Sequence, residues 1–250
     1  MEFLRVENLM GYRERKRARQ LLMFRLVGAC AIWGAWLLSA HAETYIAGQV
    51  GYTVAQDTTR GRVTDPSLIG LPAGTSAGNL NLNNSPMYGM KLGHYFDSTP
   101  WLGVELESFM TTPNTPQQRV TLQAPGVGTV LLDETGATNR LIVVAPNLMA
   151  RYQAGAFEPY VGIGPGVFFL HQRQESPAPG STAYSQYSTR VGLNTQVGLR
   201  YRLTDHVSLF GEWKYNYVRF SLSGQPDGPY AGVSAVANLH HFVFGIGYHF

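Results

Sequence analysis

The segment "HFVFGIGYHF" (residues 241–250) repeats with a period of two. Phe242, Phe244, Ile246, Tyr248 and Phe250 fall on one side, and His241, Val243, Gly245, Gly247 and His249 on the other. That period belongs to a β-strand, whose successive side chains point to opposite faces. One face is large and apolar, the other small or polar. In water such a face must be covered by a second layer. In a membrane strand it meets lipid. The remainder of the chain discriminates between the two.

Charged residues make up 14% of the 250, against roughly 25% in an ordinary soluble domain. The chain is rich in Gly (28) and Tyr (14), a composition suited to short strands with small and aromatic side chains. The formal net charge of +3 is concentrated at the start. Residues 1–42 hold seven of the 19 basic residues and three of the 16 acidic ones, leaving 12 basic and 13 acidic. The basic excess therefore belongs to the leader, and a nucleic-acid partner is not expected. Within that leader "RERKRARQ" precedes an apolar run from Leu21 to Ala40, interrupted by Arg25, and Ala40-His41-Ala42 fits the small-residue cleavage pattern of a secretory signal. Residues 1–42 are read as a cleaved signal peptide and 43–250 as one domain. Met10 and Met23 are alternative starts. An N-terminal anchor is the competing reading, but the apolar run after Arg25 is short for a hydrocarbon core of roughly 30 Å. Cys30, the one cysteine, lies in the leader, so the mature domain can form no disulfide.

Eight alternating segments follow: Thr44–Tyr52, Met87–Phe96, Trp101–Met110, Asn139–Tyr152, Phe157–Leu170, Tyr187–Leu203, His206–Phe220 and Asn238–Phe250. Their connections alternate in length. Residues 53–86, 111–138, 171–186 and 221–237 are long and rich in Gly, Pro, Ser, Thr and Asn, whereas 97–100, 153–156 and 204–205 are tight turns. Long connections at one end and short ones at the other match an outer-membrane barrel. On the third segment Leu102, Val104 and Leu106 alternate with Gly103, Glu105 and Glu107; on the sixth Val191, Leu193, Val197 and Leu199 alternate with Gly192, Asn194, Gln196, Gly198 and Arg200. The last five segments exceed the usual 5–6 residues of globular strands and suit tilted membrane strands. Aromatic residues gather near segment ends (Tyr45, Tyr52, Tyr95, Phe96, Trp101, Phe109, Tyr152, Phe157, Phe169, Tyr201, Tyr217, Phe250), as in the two interfacial belts of a membrane protein. The reading is an all-β, eight-stranded, antiparallel up-and-down transmembrane barrel. A secreted sandwich is the alternative.

"PYVGIGPGVFF" (159–169), "VGLRYRLTDHVSLFGEWKYNY" (197–217) and "FGIGYHF" (244–250) resemble the OmpA-like and opacity-type family of small outer-membrane barrels. The resemblance covers most of residues 43–250. It implies an integral protein of the Gram-negative outer membrane, exported through the periplasm and lying among outer-membrane lipid and lipopolysaccharide. The alternating last strand with its terminal Phe (Phe242, Phe244, Ile246, Tyr248, Phe250) resembles the signal by which the barrel assembly machinery recognises such proteins. No periplasmic domain is expected after the barrel. The family spans adhesins, anchors and small channels, so function is not carried over with the fold.

Inward positions hold Lys91, Glu105, Glu107, Arg151, Arg200, Arg202, Glu212 and Lys214. An eight-stranded barrel is just wide enough for side chains to fill, and charges there must pair. Arg200 with Glu212 is the first pair expected. The network reads as a plug, or alternatively as a gate. Gly162, Gly164 and Gly166 are read as small interior residues, because no helix follows to make a phosphate loop. His206 and Ser208 stand two apart on one strand face and resemble the H-x-S of lipid A deacylases, but His206 sits beside a short turn, away from the outer leaflet. His240 and His241 point to opposite faces and cannot share a metal; His94, His171 and His249 are isolated. No metal, cofactor or enzymatic activity is expected. The long connections, such as "LPAGTSAGNLNLNNSP" and "QESPAPGSTAYSQYS", are read as flexible surface segments that display a host or surface ligand site. The expected role is structural or loop-mediated interaction, with a narrow porin and a lipid-modifying enzyme as alternatives.

Overall fold

A computed structural model describes residues 43–174, 184–224 and 231–250. The proposed signal peptide, the segment 175–183 of the third long connection and the segment 225–230 of the fourth lie outside the described residues.

The described strands, in chain order, are β1 (Glu43–Ala55), β2 (Thr59–Val63), β3 (Ser76–Ala77), β4 (Ser85–Phe96), β5 (Thr99–Thr111), β6 (Gln118–Ala124), β7 (Gly128–Glu134), β8 (Ala137–Arg151), β9 (Phe157–Gln174), β10 (Tyr184–Arg202), β11 (Val207–Ser221) and β12 (Val233–His249). All eight expected strands are among them, as β1, β4, β5 and β8 to β12, and most are longer than their alternation suggests. Each of the eight pairs antiparallel with its neighbour in that order, and β12 returns to β1, with Tyr45 opposite His249 and Ala55 opposite Leu239. The ring is closed, so no strand edge is left with unpaired backbone in lipid. Alternation sorts the side chains. Val50, Met90, Val161, Val191, Phe244 and Ile246 lie exposed on the outer wall, while Lys91, Glu107, Asn194, Lys214 and His241 are buried inside. The apolar face of the C-terminal strand is thus the lipid face, with Phe244 70% exposed.

Not every belt aromatic faces out. Tyr52, Trp101, Tyr152, Phe157, Tyr201, Tyr217 and Phe250 do, but Tyr45, Tyr95 and Phe109 are buried in the lumen. Their positions are in phase with the inward charges. Glycines opposite them make the room: a Cβ on Gly93 would collide with the Tyr45 ring, and one on Gly198 would sit 2.6 Å from the ring of Tyr160.

The first two long connections contain regular structure of their own. The first contains β2, a short 3-10 turn (Pro66–Ile69) and β3; the second contains the hairpin of β6 and β7. They add β2, β3, β6 and β7 in that order to the extracellular end of β12. The strands within these connections were not expected from the sequence; on β6, Val120, Leu122 and Ala124 form a buried face, while most of the stretch 174–188 expected to be flexible lies outside the described residues. The hairpin turns at Gly126 and Gly128, both at positive φ, a conformation that glycine adopts without strain.

Candidate functional site

The inward charges separate into two layers. The middle layer contains Lys91, Glu105, Glu107, Glu212 and Lys214, all buried. Lys91 Nζ lies 3.2 Å from Glu105 Oε1 and also contacts Glu212. Lys214 Nζ contacts Glu107 and lies 3.0 Å from Glu212 Oε2. Two ammonium groups face three carboxylates, and neutral donors serve the remaining oxygens. Tyr45 donates to Glu105 at 2.5 Å, Tyr160 to Glu212 at 2.6 Å, Asn194 to Glu107 at 2.7 Å and Gln196 to Glu105 at 2.7 Å. Gln196 accepts from Lys214 through its oxygen at 2.9 Å. A buried ion cluster persists only where its lone pairs and protons are met in this way.

Above this layer the polarity continues through neutral groups. His241 is bonded on both ring nitrogens, to Thr53 Oγ1 at 2.8 Å and Asn216 Oδ1 at 2.9 Å. His240 points outward and stacks on Trp213. Toward the extracellular end the lumen turns apolar. Leu141, Leu170, Leu222 and Leu239 are buried there around a cavity of about 70 Å³.

The second layer lies at the periplasmic end and contains Arg151, Arg200 and Arg202. Their acids are Glu158 and Glu43, neither of which stood out in the sequence. Arg151 approaches Glu43 at 2.5 Å and Glu158 at 3.4 Å; Arg202 Nε bonds Glu158 at 2.5 Å, and its other end reaches Glu43. Arg202 is the least enclosed of the eight charges, its side chain 24% exposed. The expected pair of Arg200 with Glu212 is not formed. Register sets Arg200 opposite Glu158 across β9 and opposite Phe210 across β11, while Glu212 faces Gly198. Arg200 lies 3.5 Å from Glu158 and 4.4 Å over the Tyr45 ring, and Glu212 is taken by the two lysines. Glu158 shares the alternation of Tyr160 and Gly162, and that phase was the signal that could have found it.

His206 and Ser208 do not act together. His206 Nδ1 meets the backbone oxygen of His249, and its ring stacks on Tyr248 on the outer wall. Ser208 Oγ lies 2.8 Å from His249 Nε2, and His249 Nδ1 lies 2.8 Å from Glu43 Oε1. Serine, imidazole and carboxylate thus form one hydrogen-bonded chain. It joins the first residue of β1 to the last of β12, across the seam that closes the barrel.

The description "Outer membrane protein beta-barrel domain" fits residues 27–250 as a family match. No curated protein matches the chain. Among solved structures, the outer membrane protein OprG from Pseudomonas aeruginosa is 18% identical with a TM-score of 0.50, over 84% of this chain and 96% of that one. A major outer membrane protein from Thermus thermophilus is 14% identical with a TM-score of 0.50, over 84% and 100%. At such identities these structures share the fold and nothing finer. With the closed eight-stranded ring and the match over most of its length, the chain belongs to the outer membrane protein β-barrel family and is an integral protein of the outer membrane.

Proposed function

We infer that this protein is a closed, non-enzymatic outer-membrane scaffold that works through its extracellular surface, in adhesion or in envelope organisation. The observation that carries the reading is the buried middle layer. Lys91, Glu105, Glu107, Glu212 and Lys214 contact one another across the lumen, where a narrow porin would need a wet path. The apolar layer of Leu141, Leu170, Leu222 and Leu239 lies above it, so an ion would meet two barriers of opposite character. The sheet of β2, β3, β6 and β7 supports the same reading, because ordered strands hold a recognition surface in place at lower entropic cost than a free loop. Recognition of β12 by the assembly machinery belongs to this proposal, resting on its outward Phe242, Phe244, Ile246, Tyr248 and Phe250.

Single-channel recording in a planar bilayer tests the reading. A barrel verified as folded by its heat-shifted gel migration is expected to stay silent. Discrete conductance steps that change in Glu212→Gln would replace the scaffold with a channel gated by the middle layer.

Among the described residues, the Ser208–His249–Glu43 chain is the arrangement that favours an enzyme. Nucleophile, base and orienting acid stand in the order of an acyl-transfer relay. Against it, Ser208 and His249 are buried, and Glu43 is engaged by Arg151 and Arg202. A fluorophosphonate probe is expected to leave the folded barrel unlabelled. Labelling that disappears in Ser208→Ala would overturn the non-enzymatic reading.

A further inference from the structure

We propose that the outer wall of β8, β9 and β10 carries a binding site for a phosphorylated acyl lipid of the outer leaflet, with Arg140 and Arg173 as the phosphate ligands. Register places Arg140 opposite His171, and Arg173 two residues further along β9, opposite Thr138. The two arginines are therefore diagonal neighbours on one face, roughly 7 Å apart at Cβ. Such a span lets both guanidinium groups reach one phosphate or two adjacent ones. Beside them the His171 ring stacks on Tyr187, with centroids 4.4 Å apart and planes within 9°. Both arginines and Tyr187 are exposed on the outside of the barrel.

Charge and position select the occupant. Among the described residues neither arginine has an ion-pair partner in the protein. The three strands contain one acid, Glu158, which points inward at the opposite end. Guanidinium groups with no acid partner among the described residues, on a wall that faces lipid, attract anions, and the anions of that wall are headgroup phosphates. Two residues deeper along the same strands the wall becomes apolar, with Ile142 and Phe169 on the same outward face. A molecule with acyl chains below and phosphate above matches both surfaces. A soluble phosphate uses only the upper one. The long connections mark this end of the barrel as extracellular, so the lipid is that of the outer leaflet.

The test uses the full barrel folded in micelles, with bisphosphorylated lipid A and its dephosphorylated counterpart as probes, and counts bound lipid by native mass spectrometry. Arg140→Gln/Arg173→Gln is expected to weaken binding of the bisphosphorylated lipid by about thirtyfold, from roughly a factor of five per arginine at a membrane surface. It is expected to leave the weaker dephosphorylated lipid unchanged. Both arginines are exposed, so the variant is expected to fold, and heat-shifted migration confirms it before binding is read. Unchanged affinity in the folded variant overturns the site. An equal loss in the charge-matched Arg60→Gln/Arg62→Gln variant also overturns it, because net charge alone would then be responsible. Inorganic phosphate is expected not to compete. Displacement of the lipid by phosphate at matching concentration would assign the arginines to a soluble anion and overturn the lipid site.

Discussion

Lys214 is fully enclosed between Glu107 and Glu212. Its removal leaves three buried carboxylates with one ammonium. Lys214→Met is therefore expected to destabilise the barrel by about 3–5 kcal/mol, the usual cost of stranding a buried charge. Urea unfolding in lipid vesicles measures it. The double variant Lys214→Met/Glu107→Gln removes one charge of each sign and is expected to recover at least half of that loss. A double variant as unstable as the single one would place the cost in packing. At the same scale, Gly198→Val puts a branched side chain where Tyr160 lies. Overpacking of that kind costs about 1–3 kcal/mol and displaces the Tyr160 hydroxyl from Glu212, which a lowered unfolding midpoint in the same assay would report. The inward position of each of the eight charges was legible from alternation. Their partners were not: Glu43 lies on the first strand, far in sequence from Arg151, and although Glu158 is on the strand between β8 and β10, only the register sets it opposite Arg200.

At the scale of elements, the β6–β7 hairpin stands apart from the ring. β8 pairs with β5 and β9 without it. Deletion of residues 117–135 is expected to leave a folded, heat-modifiable barrel; loss of the heat shift would show that the hairpin is needed for closure. The hairpin also carries a pH dependence. Burial raises the Glu134 carboxyl above its ordinary range, although Gln174 donates to it. A carboxyl raised on folding favours the folded form while protonated. The stabilising contribution is full below the ordinary carboxylate range and is lost as pH rises through the raised value. Protease nicking of the hairpin is therefore expected to increase as pH rises above the ordinary carboxylate range, and Glu134→Gln is expected to flatten that rise. The alternation of Val120, Leu122 and Ala124 before "PGVG" was a hairpin signal in the sequence. It was masked by its setting, since a long polar connection between two membrane strands invites a loop reading. β2 and β3 had no comparable signal. They are five and two residues long and exist by pairing with β12 and β6.

For the whole molecule, the eight-stranded ring could be read from the chain alone. The reason is physical: a strand that faces lipid on one side and a packed lumen on the other must alternate at every step, and that signal needs no partner. The lengths of the connections then told the two ends apart. The interior circuit belongs to closure. Tyr45 meets Glu105 across 60 positions and Lys214 meets Glu107 across 107, distances over which no local pattern operates. The seam of β1 against β12 likewise creates the Ser208–His249–Glu43 chain, which no spacing of serine and histidine along one strand announces. Alternation is a property of each residue and its two neighbours, so it is written in order. Partnership depends on the shared register of eight strands around a closed ring, so it appears once the ring is shut.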